Sequence, residues 1–136
     1  MRDALLRAHI WLVASLFPLL ERMLSLRKLL WLAERPADWT PYRGVAAERI
    51  IALIDHRLRN PRLMRRRRCL RQGMVLFHFL RLAGVPAIMH FGVLGPATSG
   101  QRLHAHCWVN IAGRDVYPPL SNVAVVVTRA YNPNLA

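Results

Sequence analysis

Residues 69 to 87 read CLRQGMVLFHFLRLAGVPA, and the fold turns on that run. Apolar residues follow one another almost without interruption from Cys69 to Ala83, over a length too great for a strand, which predicts a helix buried on most of its circumference. Gly84-Val85-Pro86 closes it, since proline cannot continue a helix and pushes its predecessor out of helical geometry. Gly73 sits inside the run, where a residue without a side chain lets a neighbouring element come close. The helix opens near Cys69, directly after Arg65-Arg66-Arg67-Arg68. One of only two cysteines therefore stands where backbone N–H groups are unpaired and the helix dipole is positive.

Past Pro86 the apolar pattern changes to period two. Residues 87–95 (AIMHFGVLG), 103–113 (LHAHCWVNIAG), 114–118 (RDVYP) and 122–128 (NVAVVVT) are strand-like runs separated by Gly, Pro and Ser turns, which predicts an antiparallel sheet. Before Cys69, residues 45–59 (VAAERIIALIDHRLR) place Ile50, Ile51, Ile54 and Leu58 at helical spacing, and Asn60-Pro61 ends that helix. A proline-rich connector, ERPADWTPYRG (34–44), precedes it.

The first 35 residues read as two amphipathic helices, broken near Pro18 and closed before Pro36. The apolar run from Ala8 to Leu20 contains His9, Ser15 and Pro18 and is shorter than the ~20 residues a spanning helix needs, so no transmembrane segment is expected. Glu21, Arg22, Arg27 and Lys28 follow it in place of a small-residue cleavage site, which argues against a secretory signal. These helices are expected to cover one side of the core. Leu5, Ile10, Trp11, Leu12, Phe17, Leu29, Leu30 and Trp31 are more apolar surface than a small core easily hides, and offer a partner protein a place to dock. The chain is thus an α+β protein, N-terminal helices followed by a small antiparallel sheet, in a single domain 1–136 with a helical segment 1–35 and a core 45–136.

Composition narrows the function classes. At 136 residues, 54% hydrophobic, the chain is long enough for one core and too apolar for a disordered tail. A net charge of +13 calls for an acidic partner. Two cysteines are too few for a disulfide framework and fit a reducing, cytoplasmic setting. One non-catalytic reading is a nucleic-acid or membrane-surface binder built on HRLRNPRLMRRRR (56–68), though that segment has no aromatic or glycine interleaving of a stacking platform. Zinc held by His104 and His106 with Cys69 or His90 is another, without a C-x-x-C or H-x-x-x-H pair to support it. Neither a cofactor nor a metal is expected.

The chemistry points to a thiol. A cysteine at a helix start is favoured as thiolate; a buried structural thiol is the alternative reading. A nucleophilic cysteine also needs an imidazole and a group to orient that ring. In HAHCWVN (104–110), strand alternation sets His104, His106, Trp108 and Asn110 on one face and Cys107 on the other. Cys69 meets His106 if its helix start lies on the histidine face, within about 4 Å or a modest rotamer change, whereas Cys107 faces away and is expected to be dispensable. Of the seven acids, Asp3, Glu21, Glu34, Asp38, Glu48 and Asp55 precede Cys69. Asp115 alone follows, at the start of the strand after Gly113-Arg114, from which it could reach the histidine strand or simply cap the turn.

A cysteine opening a buried helix as C-L-R-Q, followed by L-R-x-x-G-V-P-A and then A-H-C-W-V-N-I-x-G-R-D-V, resembles the transglutaminase-like cysteine peptidases of lasso-peptide biosynthesis, over about residues 45–118. The resemblance implies a papain- or transglutaminase-like core with Cys69 as nucleophile, His106 as imidazole and, more loosely, Asp115 as the acid. In the family that acid falls near Tyr117-Pro118, where this chain has none, and Asn110 or Asn122 are amide alternatives. The implied reaction removes the leader of a precursor peptide through a thioester. The implied partners are the precursor, a separate leader-recognition protein and the ATP-using cyclase that closes the macrolactam.

Overall fold

A computed structural model describes residues 1–34, 39–65, 67–94, 105–119 and 123–133. His104, Asn122, Arg66 and residues 35–38 of the proline-rich connector lie outside them. Helices come first and strands second: α1 Arg2–Met23, α2 Leu26–Glu34, α3 Ala47–Leu58, α4 Arg68–Leu82, then β1 Ala87–Leu94, β2 Ala105–Ile111, β3 Arg114–Val116 and β4 Val123–Tyr131. The sheet is antiparallel throughout, in the order β3-β2-β1-β4. The expected α+β architecture is the one observed.

α4 is the centre of the molecule because apolar residues occupy most of its circumference. Met74, Val75, Leu76, Phe77, Phe79, Leu80 and Leu82 are all buried. One side of α4 meets α1, α2 and α3, and the other lies on β1 and β2. Gly73 makes that second contact possible. A Cβ there would stand 3.1 Å from Cys107 Sγ and 3.2 Å from Met89 Cε, closer than a packed interior tolerates without displacement. Ala87, Met89, Cys107, Val109 and Ile111 are the buried sheet residues on this side.

Pro18 does not break the first helix. α1 runs through it and ends at Leu24, whose extended backbone (φ −117°, ψ 145°) turns the chain into α2. Proline removes one N–H and crowds the carbonyl four residues earlier, yet Leu6, Ile10, Ala14 and Phe17 are buried at helical spacing on both sides of that turn, and burial outweighs the lost bond. The continuous helix is, by length and composition alone, sufficient to cross a membrane, though its buried stripe covers the core. Along a different line of the same helix Leu5, Leu12, Leu16, Leu19 and Met23 are exposed.

A buried ion pair ties α1 to the start of α4. Arg71 Nη2 lies 2.5 Å from Glu21 Oε1, with side chains 7% and 6% exposed, and Arg71 also donates to the Leu63 carbonyl. Arg81, likewise buried, donates to the carbonyls of Ala33 and Glu34 at the end of α2. The two arginines of the CLRQ…LR pattern thus clamp α4 at both ends.

Candidate active site

The start of α4 carries no side-chain cap. Its N-cap, Arg67, adopts left-handed geometry (φ 50°), a conformation that costs a non-glycine residue on the order of 1 kcal/mol or more and concentrates at functional sites. First-turn N–H groups are left available, and Cys69 sits among them, half-buried. Its Sγ lies 3.9 Å from the Ala105 carbonyl of β2. With Ala105, His106 and Cys107 it lines a cavity of about 290 Å³, whose remaining walls are Leu26, Leu29, Arg67, Leu70 and Phe91.

The thiol is acidic. Its pKa is lowered to about 5, first by a hydrogen bond from the Cys107 thiol, then by the Cys107 N–H, the nearby His106 imidazole and the Leu70 N–H, all against a desolvation that opposes ionisation. Cys107 moves the opposite way, pushed well above the ordinary thiol range by its contact with Cys69 and by burial. Between two touching thiols, the half-exposed one at a helix start ionises and the buried one keeps its proton. Exposed Arg67 and Arg68 are not among the causes, as screening of solvated cations leads one to expect.

This corrects the placing of Cys107. Strand alternation holds, with Cys107 and His106 on opposite faces, but α4 covers the Cys107 face and not the histidine face. His106 reaches the shared cavity from the beginning of β2, where β3 is not alongside it, since β3 pairs only with residues 109–111. No Cys69–His106 hydrogen bond is formed among the described residues; the ring acts on the thiol as a neighbouring charge.

His106 is held by a group that sequence reasoning missed. Its Nε2 lies 3.0 Å from the Tyr117 carbonyl, and a carbonyl only accepts, so Nε2 carries a proton and Nδ1 is the nitrogen left for proton transfer. The ring also stacks on Trp108, centroids 6.1 Å apart. Tyr117 is itself left-handed (φ 60°), and its hydroxyl donates to Asp55 Oδ1 of α3 at 2.5 Å. Burial, then that bond, push the phenol far above its ordinary range. A tyrosine before two prolines signals an unusual turn, but nothing in the sequence says its carbonyl faces a histidine.

Asp115 is not brought to His106. It is exposed and accepts the Asn110 side-chain amide at 2.7 Å, while Asn110 Oδ1 takes the Gly113 N–H at 3.0 Å. Both residues stabilise the β2–β3 turn. His90 contacts Thr128 and Trp108 instead of the cavity, and the described residues contain no group of three metal-ligating side chains.

An activatable cysteine at the start of α4 and a histidine on β2, within one α+β core, are accompanied by a family match: the transglutaminase-like superfamily, over residues 10–128. The chain belongs to that superfamily. No curated protein and no solved structure matches it. The superfamily generally contains cysteine peptidases and transferases, and a thiolate beside an imidazole that can relay a proton is the equipment for acyl transfer.

If the Cys107 thiol is the first support of the Cys69 thiolate, Cys107→Ala should shift the midpoint of Cys69 alkylation upward from about 5 toward the ~8.5 of a free cysteine. Iodoacetamide reacts with thiolate, so the parent's rate should be level well below neutrality while the variant's still climbs there. An unchanged midpoint would show that backbone N–H groups and His106 suffice.

Proposed function

We propose that this chain is the leader peptidase of a lasso-peptide pathway, in the form that works with a separate leader-recognition protein. The observation that carries this reading is the shared cavity, where Cys69 opens α4 and His106 stands in its AHCWVN strand with Nε2 fixed on Tyr117. The thiolate attacks the carbonyl of the last leader residue, and first-turn N–H groups receive the developing oxyanion. The His106 imidazolium protonates the departing core amine, the leader remains as a thioester on Cys69, and water, deprotonated by the same ring, releases it. The freed amine is then available to the macrolactam-forming cyclase. Leu26, Leu29, Leu70 and Phe91 make the cavity walls apolar, which suits an uncharged side chain beside the scissile bond.

Charge and apolar surface support the partners. Arg22, Arg62 and Arg65, beside Pro18 and the Glu21-paired Arg71, line a second cavity of about 340 Å³, which suits acidic groups of a leader. The exposed Leu5-Leu12-Leu16-Leu19-Met23 line of α1 suits a leader-recognition protein. A cytoplasmic location accords with two reduced thiols.

The deciding experiment incubates the protein with the precursor encoded beside its gene, with and without the neighbouring leader-binding protein. Two fragments, separated at the leader–core boundary, are expected by mass, and none with Cys69→Ala. Intact precursor under both conditions, together with salt-dependent DNA binding, would favour the basic binder instead.

A further inference from the structure

Three placements bring the two cysteines into one spot. Cys69 Sγ lies 3.9 Å from the Ala105 carbonyl, and Ala105 and Cys107 occupy one face of β2, two residues apart. Cys107 Sγ lies 3.1 Å from the Cβ that Gly73 lacks, and Gly73 is one helical turn after Cys69 on the same side of α4. Both thiols line the same cavity. The sulfurs therefore occupy the layer between the first turn of α4 and β2, one half-exposed and one buried. The glycine makes room for Cys107 beside the nucleophile position.

We propose that Cys69 and Cys107 form a modification site, a reversible disulfide made when the protein meets hydrogen peroxide. Ionised Cys69 attacks one peroxide oxygen; the S–O bond forms, the O–O bond breaks, and the departing hydroxide takes a proton to become water. Cys69 is then a sulfenic acid, oxidised by two electrons as the peroxide is reduced. Cys107 attacks that sulfur, the S–S bond forms and the S–O bond breaks, and the leaving hydroxide takes the Cys107 proton as a second water. A dithiol reductant returns two electrons and two protons to restore both thiols. The cavity opens on Cys69 and admits a molecule of peroxide size, and the buried Cys107 is protected from direct attack until Cys69 has been oxidised. In a reducing compartment such a bond is transient and serves sensing, not stability. Under the peptidase reading, oxidation silences the enzyme reversibly and spares its thiol from further oxidation; the bond itself does not depend on that reading.

The full chain is treated with about one equivalent of hydrogen peroxide, quenched with iodoacetamide, digested and mapped by mass. The expected product is an intramolecular cross-link between the Cys69 and Cys107 peptides, lighter by two hydrogens. Alkylation of Cys69 should fall roughly tenfold and recover with dithiothreitol. Cys107→Ser should give no cross-link, with Cys69 trapped by dimedone as sulfenic acid and passing to sulfinic acid as peroxide is raised. Parental Cys69 found as sulfinic acid with Cys107 still alkylated, or linked only between molecules, would overturn the proposal. Should Cys107→Ser not fold, the parental map decides alone. Cross-linking without any precursor cleavage by the reduced protein would retain the disulfide and remove the peptidase.

Discussion

Cys69→Ala is expected to reduce leader cleavage to background, and His106→Ala to lower the single-turnover rate by about three to four orders of magnitude. The first removes the ionised thiol of the cavity and leaves Cys107, which keeps its proton. The second removes the proposed proton donor for the leaving amine, while the first-turn N–H groups remain. The cleavage rate should rise with pH through about 5, because the Cys69 thiol must lose its proton to act and its pKa is lowered to about that value. Asp115→Ala should leave the rate close to the parent's, since that carboxylate engages the Asn110 amide and not the imidazole. Cleavage by Cys69→Ala at the parental rate would end the mechanism. Loss of activity in Asp115→Ala with an intact fold would restore the acid to His106.

What was legible in the sequence follows from which features are periodic. The continuous apolar run from residue 69 can only be satisfied by burial on all sides, and the two-residue alternation after Pro86 can only be satisfied by strands; these fixed the helix-then-sheet order. Alternation also tells which residues share a face, and it correctly parted Cys107 from His106. It does not tell which face a helix will cover. Gly73 and Met89 decide that in three dimensions, by leaving space for Cys107 under α4, so the dismissed thiol became the neighbour of the other. Pro18 misled because a local rule was weighed without the buried stripe that spans it. Asp115 drew attention as the last acid in the chain, whereas the orienting acceptor is the carbonyl of Tyr117, and a backbone group carries no mark in a sequence.

The same limit applies to Arg71, which looks like another member of the basic run yet ties the start of α4 to α1. Glu21→Ala is expected to lower stability by about 3–5 kcal/mol, the cost of leaving a buried guanidinium without its counter-charge. For a chain of this size that is a fall in melting temperature of roughly 10–20 °C. Arg71 donates from both Nε and Nη2 to the Glu21 carboxylate, at 3.2 and 2.5 Å, and its bond to the Leu63 carbonyl satisfies a donor but no charge. By contrast, the exposed pair Glu48–Arg114 should change stability by no more than about 1 kcal/mol when broken. Replacing both partners, as Glu21→Leu with Arg71→Met, should cost less than Glu21→Ala alone, because no buried charge is then abandoned. Arg71 lies two residues after Cys69, so the double variant should fold while its α4 start loses the tether to α1, and Cys69 alkylation should report the displacement. Thermal melts of the three proteins settle the matter: Glu21→Ala melting within a degree or two of the parent would mean that the pair is hydrated and contributes nothing to holding the thiol in place.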